Sequence, residues 1–145
     1  MKVLSEKIMS TEQVENETDY VVCEVDKYGD KRYFNAEGQL HREDGPAIEY
    51  VDDCKYWYLN GKRHRENGPA VECLNGDKSW YLNGKCHRED GPAVEWSDGS
   101  KEWYLNGKLH REDGSAIEHA DGRKWWYINN KEVTEETVRK LGKMK

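Results

Sequence analysis

Phenylalanine occurs once in this 145-residue chain, leucine, isoleucine and valine are scarce, and no apolar run approaches bilayer-spanning length. An aliphatic core of ordinary size is therefore excluded. Folding is not, because six Trp and nine Tyr can supply the buried area that the aliphatics do not. The chain also lacks any block of one charge sign. Its net charge of -6 arises from acids and bases mixed throughout, which leaves no basic stripe for nucleic acid and little attraction to an anionic membrane. A basic or neutral partner is easier. The amino terminus, Met1-Lys2-Val3-Leu4-Ser5-Glu6-Lys7, has no apolar core of signal-peptide length. Cys23, Cys54, Cys73 and Cys86 form no C-x-x-C pair and stand out of register with one another, unlike the cysteines of a stapled array. They read as reduced thiols in a cytoplasmic protein. No nucleophile elbow, phosphate loop or zinc spacing is present, so neither enzyme, cofactor nor metal is expected.

What is present is a phrase repeated every 23 residues: Trp57-Tyr58-Leu59-Asn60-Gly61-Lys62, then the same from Trp80, from Trp103 and, as Trp126-Tyr127-Ile128-Asn129-Asn130-Lys131, from Trp126. A second phrase keeps the same step, His41-Arg42-Glu43-Asp44-Gly45-Pro46-Ala47, with counterparts at 64–70, 87–93 and 110–116. Fixed self-similarity of this period marks a repeat array, whose units bury their faces against neighbours.

Each repeat carries two hairpin signals. Asn-Gly follows the aromatic pair, and Asp98-Gly99, with Asn75-Gly76 and Asp121-Gly122 in the same place, separates two strand-like runs. Both dipeptides suit type I′ turns, in which both central residues take positive φ. Asp52-Asp53 and Asn129-Asn130 lack the glycine, and Asp or Asn is the next best choice there. Two-residue loops throughout would set Val94 opposite Trp103, Pro92 opposite Leu105, Ala93 opposite Tyr104, Trp103 opposite His110 and Glu102 opposite Arg111. One sheet face then carries the Val/Ile, Trp, Leu and His ladders. The other carries the Tyr, Ala, Glu and Arg ladders, with Arg and Glu as a solvated ion-pair surface. A flat sheet of this kind leaves its Trp row wet, so curvature, a partner or self-association is expected to cover it.

The expected architecture is all-β: an elongated, twisted antiparallel meander of repeated hairpins in a single sheet, with a short C-terminal capping helix. Residues 1–18 form a polar tail or short helix, 19–131 the repeat domain with a degenerate first hairpin, and 132–145 the helix and tail. Thr134 reads as N-cap and Gly142 as the stop. The recurring His lie about 10 Å apart, too far to share one metal. They are expected to pack on Trp and bond a loop carbonyl. His119 has no counterpart in the other repeats and reads as a surface residue.

Tyr104-Leu105-Asn106-Gly107-Lys108-Leu109-His110 with Gly114 resembles the MORN repeat over residues 32–131, and this resemblance implies an elongated hairpin meander. The chain departs from the family where Arg-Glu-Asp-Gly-Pro replaces its Gly-x-Gly. The wording of the array, with its closing Val-Thr-Glu-Glu segment, is also similar to proteins of large phages and giant viruses, which implies a soluble binder of host components and an inhibitor of a defence protein. The Trp-Tyr-Leu-Asn phrase resembles choline-binding cell-wall repeats too, but those are exported and poor in charge. The functional expectation is a non-enzymatic module that binds a host protein through Trp80, His87, Trp103 and His110 or through Arg65, Arg88 and Arg111. The alternatives are a platform for a small nucleotide signal and a self-assembling structural protein, for instance a homodimer.

Overall fold

The computed structural model describes residues 21–143, so the expectation for the first 18 residues lies outside it. Each repeat folds into four short strands, for example Val94–Glu95, Lys101–Glu102, Tyr104–Leu105 and Lys108–Leu109. The first two join one long antiparallel sheet. The second two form a separate two-stranded ribbon. The long sheet has eleven strands in chain order and does not close into a barrel, and three ribbons accompany it. The division falls at Trp57, Trp80 and Trp103, where the strand is interrupted as it passes from sheet to ribbon. In the last copy Lys124–Ile128 runs unbroken into its hairpin with Lys131–Val133. Adjacent ribbons are joined: Gly84 N–H donates to the Arg63 carbonyl and Arg65 N–H to that of Tyr81, and the same pair recurs along the array.

The two turns of the repeat are of different kinds. At Asn-Gly both central residues have positive φ, 50° and 79° at Asn106 and Gly107, and Asn129-Asn130 does the same at 49° and 67°. These are the expected type I′ turns. At Asp-Gly only the glycine is positive, 95° at Gly99. Here the loop holds three residues, closed by Gly99 N–H on the Trp96 carbonyl and Trp96 N–H on that of Ser100, the bulged alternative to a two-residue turn. Asp52 and Asp53 likewise sit in a three-residue loop, without left-handed φ.

That extra residue corrects the expected register by one. Val94 faces Glu102 rather than Trp103, and Glu95 faces Lys101. Ala93 N–H donates to the Glu102 carbonyl, and Glu102 faces Ile117 on its other side instead of Arg111. Past the type I′ turn the expectation holds, with His110 N–H on the Trp103 carbonyl.

The observed register sets opposite charges across from one another. One row across the sheet reads Lys31, Glu49, Lys55, Glu72, Lys78, Glu95, Lys101, Glu118, Lys124, each residue directly opposite the next. A slip of one residue would destroy this alternation, so the row specifies register as an apolar face does elsewhere. The neighbouring row, mostly uncharged, reads Arg32, Ile48, Tyr56, Val71, Ser79, Val94, Glu102, Ile117 and Trp125. The core is thin: Ala47, Ala70, Ala93 and Ala116 are fully buried, with Ile48, Val71 and Val138 close behind.

The ends differ from the middle. Val22–Val25 and Lys31–Phe34 make the degenerate first hairpin. At the other end the helix Glu135–Lys143 starts from Thr134, whose Oγ1 accepts the Thr137 N–H, and buries Val138. Gly142 lies within this helix rather than ending it. A second correction concerns the cysteines. Cys54 and Cys73 face each other on adjacent strands and form a disulfide, while Cys23 and Cys86 are free thiols.

Candidate binding grooves

The Trp and Arg ladders do not occupy opposite faces. The Arg88 guanidinium lies over the Trp80 ring at 3.9 Å from its centroid, and Arg65 on Trp57 and Arg111 on Trp103 repeat the distance. In the degenerate first unit Arg42 covers Tyr33 at 4.0 Å. Arg88 Nη1 also donates to the Pro92 carbonyl at 3.0 Å and to Glu95 at 3.3 Å, and Nε donates to Asp90 at 3.1 Å. Arg65 lacks the last bond because Asn67 stands where the other repeats have Asp. One face of each of Trp57, Trp80 and Trp103 is therefore taken by an arginine of the chain itself. These arginines are half-buried structural groups, not the solvated surface expected from the sequence.

The glycine of each Arg-Glu-Asp-Gly loop belongs to the same unit. A Cβ on Gly91 would stand 3.1 Å from Arg88 Cζ, and on Gly114 it would stand 2.8 Å from that of Arg111. Neither has positive φ, so glycine is favoured here by the close approach of the guanidinium, which a Cβ would push aside, and not by the turn.

Each repeating His ties two repeats together. His41, His64, His87 and His110 accept, through Nδ1, the backbone N–H of Asn60, Asn83, Asn106 and Asn129 at 2.9 to 3.0 Å. The bond expected to a loop carbonyl is thus reversed: the ring accepts, so its proton sits on Nε2. Nε2 of His87 faces Glu89 at 3.6 Å. His119 packs edge-on against Trp125 at 4.9 Å between ring centres.

Between the successive loops that begin at Arg42, Arg65, Arg88 and Arg111, the described residues form three grooves of like lining, the one over Trp57 being the smallest at about 340 Å³. One, of about 570 Å³, has Trp103, Leu105 and His110 as its floor between the loops of Arg88 and Arg111. The next, about 770 Å³, has Trp80, Leu82 and His87 between those of Arg65 and Arg88. All seven residues singled out from the sequence line these two grooves. Leu82, Leu105, Glu89 and Asp90 were missed there, although their recurrence at the 23-residue step was visible. A fourth hollow joins Trp126 to Val138 and Arg139, so the terminal helix stands where a further loop would.

Compared with known proteins, the chain matches no family model and none of the curated proteins. Among the described residues no helix is long and apolar enough to cross a membrane.

Proposed function

We propose that the chain is a non-enzymatic protein-binding array of MORN-like hairpins, and that its recognition surface is the row of three grooves. The observation that carries this reading is their recurrence: a floor of Trp, Leu and His between two Arg-Glu loops returns at each step, which suits an extended partner contacted at several points. Four copies of one His constellation, each with Nδ1 bonded to the next repeat, fit a structural part better than a catalytic one. The guanidiniums that a nucleotide platform would use are already stacked and bonded.

The test is affinity capture from cell lysate with the tagged protein and a Leu82→Gln, Leu105→Gln variant that makes two groove floors polar. A partner held by the wild type and lost by a folded variant supports the reading. Equal retention by both sinks it. The narrower expectation, a viral inhibitor of a host defence protein acting in the cytoplasm, is decided by the identity of what is captured.

One observation favours self-association as a second reading. Tyr28, Val51 and Leu74 stand at one repeat position on successive hairpin tips and are exposed to 65, 56 and 74 %. Sedimentation at rising concentration separates the two, since a dimer through these tips should dissociate when Leu74 is changed to Ser.

A further inference from the structure

The chemistry of the grooves specifies more than a protein partner. Their arginines point into the walls, where Arg88 is held by Trp80, Pro92, Glu95 and Asp90. The most exposed charge at the mouths is carboxylate: the side chains of Glu66 and Glu89 are 79 and 84 % exposed, against 29 and 23 % for Arg65 and Arg88. Beneath them lie indole and leucine. An apolar floor under an anionic rim fits a side chain with a hydrocarbon stem and a cationic head, and disfavours phosphate or carboxylate ligands. The net charge of -6 acts in the same direction at long range.

The spacing of the grooves narrows the partner further. Each repeat adds two strands to the long sheet, so successive grooves are about 10 Å apart. A polyproline II segment has three residues per turn and advances about 9.3 Å per turn, so every third side chain falls on one side at nearly the step of the array. A β-strand alternates its faces and offers no such match.

We infer that the partner presents an extended, polyproline II-like segment with lysine or arginine at every third residue, one cation to each groove. This rests on the protein-binding reading. Single exposed ion pairs are weak, so affinity comes from engaging several grooves at once, and depends on spacing.

The probe is a synthetic peptide of four Lys-Pro-Pro units, with a control of the same composition whose lysines are contiguous. Binding is followed by tryptophan fluorescence and calorimetry at moderate salt. The spaced peptide should bind roughly tenfold or more tightly than the control. Glu66→Gln, Glu89→Gln should remove most of that difference while leaving the melting temperature unchanged. Equal affinity for the two peptides, no binding of either, or indifference to the double variant overturns the inference. Should the peptides fail while capture remains sensitive to Leu82→Gln, Leu105→Gln, the protein-binding reading stands and only the partner's chemistry falls.

Discussion

The guanidinium carbon of Arg88 lies 3.9 Å from the centre of the Trp80 ring, and the same head group bonds Pro92, Glu95 and Asp90. An arginine used on its face and along its edges by its own repeat is part of the fold. Arg88→Ala should therefore cost about 2–3 kcal/mol of stability, from the lost stack and from the lost bonds to Pro92, Glu95 and Asp90. Arg88→Lys should recover less than half, because an ammonium neither stacks as a plane nor bonds as a fork. Urea unfolding checks both. An Arg88→Ala protein as stable as the wild type would return the arginines to the surface.

Gly91→Ala should be destabilising only through Arg88. The added methyl would stand 3.1 Å from Cζ of a side chain stacked on Trp80, so that any shift of Arg88 disturbs the stack. A cost of about 1–2 kcal/mol is expected in the wild type. In the Arg88→Ala background it should nearly vanish. A double-mutant cycle reads the coupling, and additive costs would mean that the glycine serves the loop instead.

Nδ1 of His87 accepts the Asn106 N–H at 2.9 Å. Long-range nitrogen-15 spectra should accordingly show the Nε2–H tautomer for His64, His87 and His110 in the folded protein. His87→Phe should cost about 1–2 kcal/mol, since it keeps the ring but leaves an amide of the next repeat without its acceptor. Observation of the Nδ1–H tautomer would contradict the tie between repeats.

The meander, the 23-residue step, the type I′ turns and the capped helix were legible in the sequence because each depends on local chemistry. Asn106-Gly107 can hardly do anything else. Asp98-Gly99 can close either a two-residue or a three-residue loop, and the structure takes the longer one, which moved Val94 from Trp103 to Glu102. The Trp80–Arg88 stack was hidden for a second reason. Alternation assigns faces only along a continuous strand, and the strand is interrupted at Trp57, Trp80 and Trp103. The Cys54–Cys73 bond became visible only once strands Cys54–Tyr56 and Val71–Cys73 were seen to be partners. The seven candidate residues did converge on two grooves, but as floor and wall, while the exposed rim of Glu66 and Glu89 went unnoticed.

Thiol chemistry should distinguish the Cys54–Cys73 pair from Cys86. Without reductant, Cys54 and Cys73 should resist alkylation. Burial pushes the Cys86 thiol up to about 12, with Glu102 adding to it. Its reaction with maleimide at pH 8 should therefore be slow, and faster in urea. Peptide mass mapping gives the answer, and rapid labelling of Cys54 and Cys73 would exclude the disulfide.

Burial raises the Tyr104 phenol from an ordinary value near 10 to about 12, helped by Glu102, and that of Tyr33 to the same region against the opposing pull of Arg42. A raised value in the folded state favours the protonated form. The corresponding stability is fully present below pH 10 and is lost as pH rises through 12. Absorbance titration should show late-ionising tyrosines, and unfolding should become easier across that window. Tyr104→Phe should flatten the dependence.

Hydrogen–deuterium exchange of the protein with and without its captured partner tests the central claim most directly. Protection recurring at the 23-residue step, over the four loops at 41–46, 64–69, 87–92 and 110–115, is the result expected of a partner laid along the three grooves. Protection confined to the hairpin tips around Tyr28, Val51 and Leu74, or to a single loop with no recurrence, would contradict it.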